Sequence, residues 1–360
     1  LRIRADRDDL GDVLGRSNRA IGTRTALPVL QGLLCEASGN RIRVTGTDLE
    51  VTVRTEATVE VLEEGVVVIP GRLAEQAVKR MPAGQVTIGT NDGDVEIVGK
   101  GPRFSLRQLS VEDYPALDEP DLGGTEVDGD ELAAAIGQVT VAASADAARP
   151  ILTGVLFETR EEGLRLVATD SYRLAIRDLP GVGVEGSGLL PARGLKELPR
   201  TVGATKVQVG LGDREGVFSS ERGMLRVRMI EGSFPKYQSL VPDRYPNEVV
   251  VPKEDLLEAL NRVALVAEDH IPVRLTLTDG GIELSVTRQD VGGESEHIPG
   301  AYRGDSESLL IAFNPRYLAD GVGAVATEEV SIQAIDGLKP SVIRGVDDPT
   351  FLYLLMPVRI

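Results

Sequence analysis

Two aspartates sit in similar surroundings, Asp48 in VTGTDLE (44–50) and Asp170 in VATDSYRLA (167–175). A pair of carboxylates is what general acid–base chemistry uses. These two, however, occupy equivalent places in two copies of a repeated segment, so a shared catalytic site is not expected. The preferred reading is that each caps a turn after a strand, accepting from main-chain amides. The two histidines, His270 and His297, cannot build a His-rich metal site. The glycines are dispersed in turns and form neither a phosphate-binding loop nor a dinucleotide fingerprint. A single Cys35 in an apolar context excludes intrachain disulfides and suits a cytosolic protein. No nucleophile, base and orienting group can be named together, so neither an enzyme nor any cofactor is expected.

The elements around these motifs repeat. Leu164, Leu166 and Ala168 alternate with charged or polar neighbours at the period of two that buries one face of a strand. Thr169-Asp170-Ser171 then interrupts with turn formers, and Tyr172-Arg173-Leu174 follows as an amphipathic patch. A helix is expected over DRDDLGDVLGRSNRAIG (6–22), with Leu10, Val13, Leu14 and Ile21 at helical spacing. It recurs at 128–144 and 252–269, each time with acidic residues in the first turn to cap free amides and oppose the helix dipole. Leu10, Leu132 and Leu256 align, 122 and 124 residues apart.

Paired strands follow at 27–54, 149–177 and 271–298, turning at Ser38-Gly39-Asn40, Glu161-Glu162-Gly163 and Asp279-Gly280-Gly281. Gly292-Gly293-Glu294-Ser295-Glu296 reads as an acidic loop. A second helix is expected within 66–82, 188–202 and 309–325, aligning Leu73, Leu195 and Leu318 at separations of 122 and 123 residues. Each copy closes on two more strands, such as QVTI and VEIVGKGPRFSLRQL in the first. Helix, strands, helix, strands, written three times, gives an α+β class with antiparallel sheets rather than a doubly wound fold. Pro-rich acidic connectors at 114–124 and 237–248 set domains of 1–119, 120–245 and 246–360. Three like units leave unlike faces at the two chain ends, a heterologous contact that two chains of three units can close into a ring.

At 360 residues the chain suits two or three domains, and 42% hydrophobic with 26% charged residues is ordinary for a globular protein. No signal-peptide pattern or long apolar run indicates export or a membrane span. The first residue is Leu1, so a short N-terminal piece is expected to precede it. The net charge of −17 does not exclude nucleic acid, because phosphate contacts need local Lys and Arg rather than a basic average.

Along essentially the whole chain the sequence resembles the bacterial DNA polymerase sliding clamps, the β subunits of DNA polymerase III. The segments that carry this are TALPVLQGLL (25–34), VTGTDLE (44–50), PRFSLRQL (102–109), GVLFET (154–159), VATDSYRLA (167–175), EGSFPKYQSLVP (231–242) and YLLMPVRI (353–360). The resemblance implies the DNA clamp fold: a six-domain, head-to-tail homodimeric ring that encircles double-stranded DNA without reading its sequence. It implies a non-enzymatic processivity factor, cytoplasmic and nucleoid-associated. The implied partners are the DNA polymerase III α subunit, the clamp loader, and other polymerases and repair proteins carrying clamp-binding peptides.

On that resemblance, sliding contacts should reach phosphates and not bases. The candidates are Arg16, Arg19, Arg24, Arg72, Lys79, Arg80, Arg193, Lys196, Arg200, Arg262 and Arg316. The opening helix of the second copy has no basic residue, and Arg149 is expected to cover that sector. Taken singly, each is as easily a solvated surface charge; as a set on two helical segments they favour DNA. Charge reversal at Arg24 and Arg193 together is expected to weaken retention on closed circular DNA.

The family's peptide pocket, carried over position by position, would use Leu152, Thr169, Tyr172, Arg173 and Leu174 from the second copy. Pro235 comes from just before the connector, Ser239 and Leu240 from within it, and Val342, Arg344, Leu354, Leu355, Met356, Pro357, Val358 and Arg359 from the third copy. Leu and Met offer an adaptable apolar floor, and Arg173 and Arg359 could hold peptide carbonyls or an acidic residue. The bland alternative for Leu354 and Met356 is ordinary core strand. The second half of VATDSYRLA does not recur in the other copies and is where partner binding is expected.

Two other classes compete with the clamp reading. A β-rich scaffold for a small ligand or polysaccharide is disfavoured by the absence of Trp and an aromatic content of 4%, which leave few stacking platforms. An enzyme is disfavoured by the missing catalytic constellation.

Overall fold

Acidic side chains start two of the helices in the way the sequence suggests. Asp6 accepts from the amide of Asp8 at 2.8 Å at the start of α1 (Arg7–Asn18). Leu10, Val13 and Leu14 go inward, and α2 (Gly71–Lys79) packs beside α1. Asp128 accepts from the amide of Glu131 at 2.8 Å in α3 (Gly129–Thr140). The second helix of the middle copy is broken into α4 (Ala192–Leu195) and α5 (Leu198–Thr201), with Pro199 in the first turn of α5. In the third copy, α6 (Lys253–Val263) carries the expected acidic residues Glu254 and Asp255 in its first turn, while Pro252 before it makes no side-chain cap. The Asn314 side chain accepts from the amide of Tyr317 at 3.1 Å to start α7 (Pro315–Ala324). The computed structural model describes residues 1–22, 27–120, 123–267 and 271–360.

Leu10, Leu132 and Leu256 are fully buried, so the first helix alignment holds. The second is displaced by one residue. Leu73 is 50% exposed while Leu195 and Leu318 are buried, and the buried residue of α2 at that place is Ala74. Gly11 and Gly15 of α1 lie against Lys79 and Glu75 of α2, an approach close enough for Ala74 and Ala77 but with Leu73 left toward solvent. The opening helices also end earlier than expected, at Asn18, Thr140 and Val263.

Each copy closes on three strands, and in the first the stretch read as one strand, VEIVGKGPRFSLRQL, is two: Gln85–Asn91, Asp94–Val98 and Arg103–Arg107. Lys206–Leu211, Glu215–Ser220 and Gly223–Arg228 close the second, and Glu329–Ala334, Ser341–Gly345 and Phe351–Leu355 the third. The acidic stretch 292–296 is not a loop but part of strand Gly292–Pro299, which pairs antiparallel with Gly281–Arg288.

The chain divides into two compact units, Leu1–Ala133 with Val184–Met229, and Ala134–Gly183 with Ile230–Ile360. The cut runs through the middle copy because its strands pair with different neighbours. In the first unit, Gly223–Arg228 pairs with Val51–Thr58, joining strands of the first and second copies into one eight-stranded antiparallel sheet. A five-stranded sheet ends on Arg103–Arg107. Its core beneath α1 and α2 includes Ile3, Leu10, Leu33, Ile42, Ile69 and Ile88. Each such side chain contributes about 1.5–3 kcal/mol by burial. In the second unit, Arg173–Pro180 pairs with Phe351–Leu355, joining strands of the second and third copies. A four-stranded sheet there ends on Gly292–Pro299.

Candidate functional site

The Asp170 turn is built by its own side chains. Asp170 Oδ1 accepts from the amides of Tyr172 (2.9 Å) and Arg173 (3.1 Å), and Thr169 Oγ1 donates to the carbonyl of Arg173 (2.7 Å). Ser171 takes φ 81°, the left-handed region. Asp48 repeats this, accepting from Glu50 (3.0 Å) and Val51 (2.8 Å) around Leu49 at φ 76°. Both aspartates therefore cap turns, as read from the sequence. The backbone of this turn recurs in the first copy at Thr47–Val51, while the side chains of the second half of VATDSYRLA do not.

Those side chains divide between the faces of the strand. Leu174 lies opposite Leu354, which lies opposite Val342 on the next strand. All three are buried in one apolar cluster with Val167, Ile176 and Tyr237, and Phe234, Val241 and Leu352 pack against it. Leu240, next to the packed Val241, is 47% exposed; Met356, two residues past Leu354, is 41% exposed. Pro235, Ser239 and Arg359 are exposed, while Leu152, Arg344, Pro357 and Val358 are half-buried. The amide of Met356 donates to the carbonyl of Tyr172 (3.0 Å), tying the chain end to the turn and leaving the Tyr172 ring 57% exposed. A buried apolar row with exposed Leu, Met and Tyr around it can receive apolar side chains of an extended segment.

Arg173 faces the other way and does not match the peptide-holding role expected of it. Its guanidinium pairs with Asp170 (3.0 Å) and Asp320, donates to Tyr353 Oη (3.3 Å), and lies 4.1 Å from the centre of the Tyr317 ring. Burial opposes its charge, yet Tyr353, Asp320 and Asp170 hold its pKa above the ordinary arginine value. Leu355, opposite Arg173, is likewise buried, on the face away from the apolar row. Arg173 is thus a positioning residue for the turn. Asp320, Tyr317 and Tyr353 are not found from the sequence; nothing local marks partners 147 and 180 residues away.

The seam of the first unit lacks this row. In the first unit the same register is filled by Thr52, Arg226 and Val217. Arg226 pairs with Glu215 and donates to the carbonyl of Asp118 (3.0 Å), so a charged side chain stands where Leu354 stands in the second unit.

The basic candidates also divide. Arg16 is buried, pairs with Asp12 (2.8 Å) and donates to the main-chain carbonyls of Thr201 and Arg222, so it is not a free phosphate contact. Arg19 pairs with Glu197 (3.0 Å), and Arg193 with Asp48 (2.7 Å) and Glu50. Arg149 pairs with Asp146 (3.0 Å), Lys79 with Glu75, and Arg262 with Glu296 (2.7 Å). Arg72, Arg80, Lys196, Arg200 and Arg316 are exposed and have no ion-pair partner among the described residues. Arg24 lies outside the described residues. Among the described residues no cluster of His, Cys, Asp or Glu could hold a metal ion, and no helix is long and apolar enough to cross a membrane.

Family models described as the DNA polymerase III beta subunit match in succession: the N-terminal domain at residues 1–118, the central domain at 126–236 and the C-terminal domain at 238–359. The beta sliding clamp of Streptomyces coelicolor is 33% identical over 100% of both chains. That of Micrococcus luteus is 35% identical over 83% of this chain and 99% of its own. Among solved structures, the DNA polymerase sliding clamp of Bacillus subtilis superposes with a TM-score of 0.93 at 26% identity, covering 100% of this chain and 99% of its own. The Bartonella birtlesii sliding clamp bound to griselimycin does so at 0.93 and 28% identity, covering 100% of both.

Proposed function

The chain belongs to the DNA polymerase III β subunit family, the sliding clamps, and we propose that two copies close head to tail into a six-domain ring around duplex DNA. It is a replication protein with no catalytic activity of its own. Its three domains are 1–119, 120–245 and 246–360.

The observation that carries the ring is the strand seam. Each junction between copies within the chain is an antiparallel pair of strands, Gly223–Arg228 with Val51–Thr58 and Phe351–Leu355 with Arg173–Pro180. Arg103–Arg107 and Gly292–Pro299 hold the corresponding places in the first and third copies, and each is the end strand of its sheet. An unpaired strand edge is a template for another chain. Carrying the seam register over places Phe104 opposite Glu294 and Arg103 opposite Ser295.

Partners dock by short peptides on the row Leu174, Leu354 and Val342 with Leu240 and Met356: the polymerase α subunit, the clamp loader, other polymerases and repair proteins. Exposed Arg72, Arg80, Lys196, Arg200 and Arg316 supply the sliding phosphate contacts. The protein acts in the cytoplasm at the nucleoid. The deciding experiment loads the clamp on nicked circular DNA with a clamp loader and then linearises the circle. Release through the free ends is expected; retention on the linear product would overturn the topological link. Gel filtration should give a dimer, twice the chain mass of 38.5 kDa.

A further inference from the structure

In the first unit, a cavity of about 360 Å³ lies between the strands of the first copy and the connector after them. It holds the place that the peptide row's surroundings hold in the second unit. Leu34, Arg43 and Tyr114 on its wall correspond to Leu156, Arg165 and Tyr237, at offsets of 122, 122 and 123 residues. The row itself is blocked by Arg226, but the flanking cavity remains open.

Its chemistry differs from that of the second unit. Its apolar lining includes Leu34, Tyr114 and Leu117, which are packed with the buried Val29, Leu30 and Val68 behind them. Val66 and Val111, 48% and 42% exposed, stand at the wall. Arg54 replaces Ile176 at the equivalent position, and its side chain is only 12% exposed. One of its nitrogens, Nη1, is 2.6 Å from Glu119, while its buried Nε has no hydrogen-bond partner among the described residues. Arg43 lies 3.5 Å from the same carboxylate and 2.9 Å from Glu56. Glu119 belongs to the connector and is 68% exposed.

A solvated carboxylate held on one side is weakly retained. An incoming carboxylate that also met Nε would gain the two-point geometry Arg prefers and would satisfy a buried donor. Glu36, also on the wall, opposes a second acid.

We propose that this cavity is a second docking site, for an extended partner segment with one acidic residue between apolar ones. The apolar side chains cover Val66, Val111 and Leu117, and the carboxylate displaces Glu119 from Arg54. The site goes beyond the peptide row of the second unit and borrows from that reading only the repeat correspondence.

The test uses the full chain with Leu240→Asp and Met356→Asp, which silence the second-unit row. The probes are dye-labelled pentapeptides Leu-Val-Asp-Val-Leu and its Asn counterpart, read by fluorescence polarisation. The Asp peptide should bind, and the Asn peptide at least tenfold more weakly. Glu119→Gln should tighten the Asp peptide several-fold by removing the internal competitor. Val111→Asp, at an exposed site where folding is not at stake, should abolish binding. Arg54→Gln should erase the Asp–Asn difference, with a melting curve to confirm that the variant folds; Arg43→Gln, at a half-exposed side chain, should reduce it. No binding by the silenced chain, or equal affinities for the two peptides with Glu119→Gln, would overturn the proposal. Loss of ring retention on circular DNA would instead count against the clamp reading and leave this result standing.

Discussion

Leu354 lies opposite Leu174 across a seam whose two strands come from different copies of the repeat. Neither copy can make this contact alone. The first seam sets Arg226 against Thr52 at the same register, and the register carried to the chain ends sets Ser105 against Gly293. Of the two seams within the chain only this one is apolar, and the peptide row we propose falls on it.

Leu240→Ala and Met356→Ala should each weaken binding of a clamp-binding peptide about tenfold, equivalent to about 1.4 kcal/mol. Both side chains are more than two-fifths exposed, so the melting temperature should barely move. Leu354→Ala, at a buried site, should lose peptide affinity and also about 2–5 kcal/mol of stability. Polarisation titrations beside denaturant melts distinguish the two; equal stability losses for all three would place the exposed pair in the core instead.

Arg173→Ala should destabilise the fold by about 3–5 kcal/mol, because it leaves the buried Asp170 carboxylate without its cation. Arg173→Lys should recover little of this. An ammonium cannot reach two carboxylates, the Tyr353 hydroxyl and the Tyr317 face with one planar group. Urea melts of the two variants test it, and a Lys variant as stable as the parent would show that only the charge matters.

The range of the forces decides which features are legible in the sequence. The Asp48 and Asp170 turns are local, made within four residues, and so can be read from the Thr-Asp pair that opens each of them. The apolar row is legible in part, since alternation marks Leu354 or Leu355 as inward without saying which. Arg173 is misleading because its partners Asp320 and Tyr353 arrive from another copy. Leu73 misleads because the closeness of two helices selects for a small residue, Ala74, against the usual rule that a leucine at helical spacing is core. Strand Gly292–Pro299 reads as a loop because its acidic, Gly-rich composition hides main-chain pairing, which is indifferent to side chains.

DNA affinity should depend on which arginines are uncommitted. Arg72→Ala with Arg80→Ala, or Lys196→Ala with Arg200→Ala, should lower the slope of log affinity against log salt by about 0.9 for each phosphate contact removed. Arg16→Ala should leave the slope unchanged and lower stability, since its guanidinium is spent on Asp12 and the carbonyls of Thr201 and Arg222. Salt titrations of DNA binding decide it; a shallower slope for Arg16→Ala would return that residue to the interface.

The Cys35 thiol is fully enclosed, and burial pushes its pKa up to about 12 from 9.0. The folded state thus holds its proton more tightly than the unfolded chain. The corresponding stability is complete below pH 9.0 and is lost as pH rises toward about 12. Cys35→Ala should therefore show a shallower alkaline decline than the parent between those limits. Coincident pH–stability curves for the two would contradict the burial of this thiol.

The head-to-tail seam can be trapped chemically. If the two chains pair in the register of the internal seams, Phe104 of one copy faces Glu294 of the other, with Cα atoms close enough for a disulfide. The double variant Phe104→Cys with Glu294→Cys should form a covalent dimer on mild oxidation, while Cys35, buried in the core, stays out of the exchange. Moving one cysteine two places along the same face, to give Phe104→Cys with Glu296→Cys, separates the pair beyond disulfide reach and should abolish the link. Non-reducing gels read both outcomes. Cross-linking by the displaced pair and not by the facing pair would mean that the closing seam departs from the register of the two seams inside the chain.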